Sequence, residues 1–146
     1  MTVRHVLVAT DGSSNATEAV RWAAGIAAAT GAAVTAVHVF EPLSRLHGQH
    51  GPVDLAGLRA AAEQDLQGEW SEPLRSADVS FDAVVVEGRP SEAIAEVAHQ
   101  CGADLVVVGA RGLSALKGLV VGSTSMQLPH LVHVPVTIIP PATPHS

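Results

Sequence analysis

Four consecutive apolar residues, Leu105 to Val108, stand between Asp104 and Gly109. A short, wholly apolar run of this kind reads as a strand buried on both faces, which belongs in a parallel sheet between helical layers. The rest of the chain follows the same rule. Val3–Ala9 and Ala33–Phe40 (AVTAVHVF) read as the first two strands, Val79–Val86 as the third and Val134–Ile139 as the fifth. Between them lie segments with helical periodicity. The first runs from about Asn15 through Ala16, Ala19, Val20, Ala23 and Ala27, and Gly31 closes it as a C′ residue. Asn15 and Glu18 have the form of a capping box there. A second helix begins near Asp54 and is kinked or ended by Pro73. A third starts at about Ser91 and ends at Gly102, and a fourth runs from Gly122-Ser123 to near His133, with Pro129 expected to kink it or delay its start. The order βαβαβαβαβ predicts an α/β domain: one parallel sheet with helices on both faces.

At 146 residues the chain is expected to form one domain over residues 1–140, with a disordered tail at 141–146. Residues 41–53 read as a polar, mobile loop. Only 3% of the residues are aromatic against 47% hydrophobic, so the core must be Val, Ala, Leu and Ile. The net charge of −6 and the scattered arginines argue against nucleic-acid binding. No apolar stretch approaches the roughly 20 residues of a membrane span, and no signal-peptide pattern opens the chain. With one cysteine, Cys101, no intrachain disulfide is available. A soluble, cytoplasmic protein is expected.

In a doubly wound sheet, ligands bind at the carboxyl ends of the strands, where the strand order reverses. The residues to read there are Ala9 to Asp11, Val39-Phe40, Glu87 to Pro90 and Gly109 to Gly112. The chain lacks both the Walker loop and the Gly-x-Gly-x2-Gly dinucleotide loop. It carries instead Gly109-x2-Gly112-x9-Gly122-Ser123: one strand end, one glycine loop and one helix start, which together suit an anion. On the same footing, Asp11 either caps its turn or serves a ligand or Mg2+. Lys117 and Arg111 lie in the loop, either paired with phosphates or solvated. His47/His50 and His130/His133 have ligand-like spacing with nothing to complete a metal site. His38 reads as a hydrogen-bonded core histidine and Cys101 as helix-end core. No nucleophile elbow surrounds Ser13 or Ser14.

The spacing Gly109-x2-Gly112-x9-Gly122-Ser123 resembles the nucleotide-binding motif of the ATP-binding branch of the universal stress protein family. So do Val6-Leu7-Val8-Ala9-Thr10-Asp11-Gly12-Ser13, Val37-His38-Val39, Asp104 to Gly109 and Val134-Pro135-Val136, and the likeness covers residues 3 to 140. The resemblance implies a Rossmann-like fold of the adenine nucleotide α-hydrolase type with strand order 3-2-1-4-5. It implies that Ala9, Thr10 and Asp11 line an ATP site, with Asp11 near ribose or a phosphate-bound Mg2+, and that the Val39 backbone meets adenine. Gly109, Arg111, Gly112, Gly122, Ser123 and Thr124 would hold ribose and phosphates. It also implies a homodimer paired through strand 134–139, an apolar edge that needs a partner in any case. Ala110 departs from the Ser often found in this branch.

The expected function is therefore an adenine-nucleotide-binding stress or signalling protein with, at most, slow ATP turnover, since no general base is evident. The alternatives are cyclic AMP binding, a ligand-free dimeric interaction module, or an adenylating enzyme. The last typically needs a Ser-Gly-Gly-x-Asp-Ser loop where this chain has Thr10-Asp11-Gly12-Ser13-Ser14. Gly109→Val and Gly122→Val are expected to abolish binding while the fold is kept.

Overall fold

Five parallel strands form one sheet in the order β3-β2-β1-β4-β5, as expected. The computed structural model describes residues 2–41, 54–111 and 123–142. The strands are β1 (His5–Ala9), β2 (Ala33–Phe40), β3 (Phe81–Glu87), β4 (Leu105–Gly109) and β5 (Val136–Ile139). The helices are α1 (Ser14–Thr30), α2 (Leu55–Gln67), α3 (Glu72–Ser76), α4 (Pro90–Cys101) and α5 (Ser123–Gln127). The expectations for loop 41–53 from Pro42 onward, for Gly112, Lys117 and Gly122, and for the tail from Thr143 onward lie outside the described residues.

The pleat explains the two layers. Val6, Val8, Val34, Ala36 and Val107 face one side, where Ala19, Val20, Ala23 and Ala27 of α1, Leu66 of α2 and Leu74 of α3 bury them. Leu7, Val37, Val106 and Val108 face the other, under Ile94, Val97 and Ala98 of α4 and under Leu128. The alanines let α1 approach the sheet closely, which is how a core almost without aromatic residues closes its gaps.

Several boundaries differ from expectation for local reasons. The cap of α1 is Ser13, not Asn15: the Ser13 hydroxyl accepts from the Ala16 N–H at 3.2 Å. Asn15 is drawn inward instead. Helix α2 ends at Gln67, before Pro73, and the Arg75 guanidinium donates to the Gln67 and Gly68 carbonyls at that end. Pro73 sits in the first turn of α3, where its missing N–H costs nothing. Strand β3 starts at Phe81 because the Val79 N–H closes α3 on the Leu74 carbonyl after Asp78 turns left-handed at φ 57°. The last helix stops at Gln127 and continues as one 3-10 turn, Leu128–His130, around Pro129. Strand β5 begins at Val136, and the Pro135 carbonyl accepts from Val106. The left-handed Gly31 (φ 76°) and Gly102 (φ 67°) end α1 and α4 as expected.

Candidate functional site

The strand order reverses between β1 and β4, with Val8 opposite Val107. Two residues further in that register, Thr10 and Gly109 stand level. The chain leaves β1 through Thr10, which is 5% exposed and donates its N–H to the Val37 carbonyl at 2.9 Å. Its carbonyl lies 3.0 Å from Nδ1 of His38. The half-buried Asp11 accepts the Ser13 N–H at 3.0 Å, and the Thr10 hydroxyl accepts the Gly12 N–H at 3.2 Å. Asp11 therefore does act in its turn.

Gly12, at φ 80°, lets that turn pass beneath the Trp70 indole, which fills the space a Cβ would occupy. Trp70 also meets the His38 ring edge-on, with centroids 5.1 Å apart. Thus β1, β2 and the segment after α2 lock one turn in place. His38 is the buried, hydrogen-bonded histidine expected. The positive end of α1 opens just beyond, with no acidic residue in its first turn.

The β4 side is held by two polar side chains that periodicity hides. Asn15 is 6% exposed; its Oδ1 accepts the Arg111 N–H at 2.7 Å and its Nδ2 donates to the Ile139 carbonyl at 3.0 Å. Ser125, 1% exposed, donates to the Ala110 carbonyl at 3.2 Å and so brings the first turn of α5 to the end of β4. Polar residues this deep must be paired. Ala9, Thr10, Asp11, Gly109 and Arg111 share the carboxyl edge of the sheet. Val39 stands two residues beyond the Ala9 partner Val37 on β2, and Ser123 and Thr124 open α5.

Gly109 has a structural duty beside any ligand role. A Cβ there would lie 2.9 Å from Asn15 Oδ1 and 3.1 Å from the Asn15 carbonyl oxygen. Gly109→Val would therefore disturb packing, contrary to the expectation that only binding would suffer. Asp104 marks the opposite end of the sheet. Its carboxylate accepts the Arg4 and His5 N–H groups at 2.8 and 3.0 Å, and these bonds, Arg4 first, hold its pKa below the usual carboxylate range. Among the described residues no three His, Cys, Asp or Glu side chains gather as metal ligands. Among them, too, no helix is long and apolar enough to cross a membrane.

Fold and strand-end turns together define a doubly wound, Rossmann-like α/β protein. The model of the Universal stress protein family matches residues 2–140. A universal stress protein encoded 3′ of a QAH/OAS sulfhydrylase in Thermus aquaticus is 33% identical over 140 residues, covering 92% of this chain and 96% of that one. This chain belongs to the universal stress protein family. A universal stress protein solved in complex with cAMP superposes with a TM-score of 0.72 at 26% identity, covering 97% of this chain and 100% of the other. The Archaeoglobus fulgidus universal stress protein in complex with dAMP shares the fold, with a TM-score of 0.69 at 21% identity over 95% of this chain and 99% of that one.

Proposed function

We propose that the chain binds an adenine nucleotide, ATP with Mg2+, at the carboxyl ends of β1 and β4, and acts as a homodimeric stress or signalling protein. The observation that carries this reading is the assembly of the Thr10–Ser13 turn, the end of β4 and the start of α5 at the switch point of the sheet, tethered through Asn15 and Ser125. Within it Ala9, Thr10 and Asp11 line the site, Asp11 facing ribose or the metal, and the Val39 backbone meets adenine. Gly109, Arg111, Gly112, Gly122, Ser123 and Thr124 hold ribose and phosphates. The α1 dipole and the Arg111 cation favour an anion there. Turnover is slow at most on this reading: Asp11, the carboxylate at the end of β1, accepts the Ser13 N–H in its own turn. A cytoplasmic location belongs to the same proposal, supported by the single Cys101.

The two sheet edges support the dimer. The β3 edge is covered from α2: Arg59 donates to the Val85 carbonyl at 3.1 Å and Gln67 to the Ala83 carbonyl at 3.4 Å. Strand β5 instead presents Ile138, 37% exposed. An apolar open edge is a pairing surface.

Cyclic AMP is the second reading, favoured by the 26% identical structure solved with it. Calorimetry with ATP, cyclic AMP, GTP and FAD separates the two. ATP binding with a clear preference over GTP is the expected result. Binding of cyclic AMP alone moves the ligand to the second reading, and no adenine nucleotide binding at all overturns both.

A further inference from the structure

We propose that Asn15 is a positioning residue that sets the nucleotide-side backbone and the carboxyl end of β5 together, so that occupancy of the site is transmitted to the edge strand. The coupling rests on the nucleotide reading above; the positioning does not. One buried carboxamide meets two backbone segments, the ends of β4 and β5. It accepts from Arg111 at 2.7 Å, donates to Ile139 at 3.0 Å and packs against Gly109, where no Cβ fits. The Ile139 carbonyl takes a second bond from the Ala110 N–H at 2.9 Å, so four backbone groups surround this one side chain.

Its place in the chain makes this a link. Asn15 lies in the first turn of α1, four residues after Asp11 and two after the capping Ser13. A ligand that moves the Asp11–Ser13 turn moves the start of α1, and Asn15 hands that shift to Arg111 and to Ile139. Both bonds need one group that accepts on one side and donates on the other, which an amide supplies and a carboxylate or an alkyl chain of the same size does not. A buried polar link of this kind is strong while every member is paired and costly once a partner is lost.

Two variants separate the bonds. Asn15→Asp keeps the acceptor for Arg111 and loses the donor to Ile139; Asn15→Leu loses both. Amide hydrogen exchange, read by NMR with and without ATP beside calorimetry, tests them. Without ligand, Asn15→Leu should speed exchange at both Ala110 and Arg111 at least tenfold. Asn15→Asp should do so at Ala110 alone, with β1 to β3 unchanged in both. With ATP, wild type should gain protection at Ala110 and across 136–139. Asn15→Asp should still bind, up to about tenfold more weakly, without that gain. Unchanged exchange in both ligand-free variants overturns the positioning role. A full ATP-dependent gain in Asn15→Asp, or none in ATP-bound wild type, overturns the coupling. Should wild type bind no ATP, the nucleotide reading falls and the coupling with it, while the ligand-free comparison still decides the positioning.

Discussion

Gly109 and Asn15 meet so closely that a single methyl group has nowhere to go. Gly109→Ala is therefore expected to destabilise the fold by about 1–3 kcal/mol, the usual cost of overpacking. Urea unfolding measures it, and an unchanged midpoint would leave Gly109 with a ligand role alone. Asp104 makes a different prediction. Its folded pKa is depressed by the Arg4 and His5 N–H groups, so its contribution is present above the unfolded carboxyl pKa and is lost as pH falls through the folded value. Asp104→Asn should lower stability at neutral pH, and the gap to wild type should close towards strongly acid pH. A gap independent of pH would show that the charge on Asp104 is not what matters. Both positions sit in the glycine-bounded stretch that identifies β4 in the sequence. Their partners lie across the sheet, however, so no spacing along the chain announces them.

The two edge strands are treated differently, and each treatment can be tested. Arg59 bridges Glu63 and Glu87 while donating to the β3 edge. Arg59→Ala should cost well under about 1 kcal/mol of stability, since exposed ion pairs contribute little. It should nonetheless promote concentration-dependent association through the uncovered edge, visible by light scattering. At the other edge, the Pro135 and Ile139 carbonyls accept from β4, so the alternation turns the Val136 and Ile138 amides outward. Ile138→Pro removes one outward donor and leaves the β4 ladder intact. Sedimentation tests the proposed dimer: wild type should run as a dimer and Ile138→Pro as a monomer with unchanged circular dichroism, and a persistent dimer would move the interface elsewhere. The elements themselves were readable because strand ends and helix ends carry glycine and proline. The misjudged boundaries fell where a group a few residues along the chain took over, as Arg75 did at the end of α2 and the Asp78 turn did at the start of β3.

For the molecule as a whole, strand order decides which distant segments meet. With β1 and β4 adjacent at the reversal, the Thr10–Ser13 turn and the end of β4 share one edge although they are far apart in the chain. On the proposed reading, a nucleotide bound there would contact both halves of the sheet at once. Saturation at about a hundred times Kd should raise unfolding free energy by about 2.7 kcal/mol. A thermal shift that follows ATP concentration checks this, and a flat response would deny a site in the folded state.

The sequence by itself determined the class of fold and the number of strands, because those rest on apolar periodicity; the strand order 3-2-1-4-5 followed from the family resemblance that the glycine spacing and strand motifs carry. It also marked Ala9 to Asp11 and Gly109 to Arg111 as strand-end positions. Only the tertiary structure decided that Ser13 rather than Asn15 caps α1, that Trp70 closes over Gly12, and that Asn15 and Ser125 tether the end of β4. The physical reason is that a strand or a glycine-ended helix is a local choice of the backbone. A buried amide or hydroxyl, by contrast, takes whichever backbone partner the fold brings within 3 Å or so, and those partners are distant in the chain.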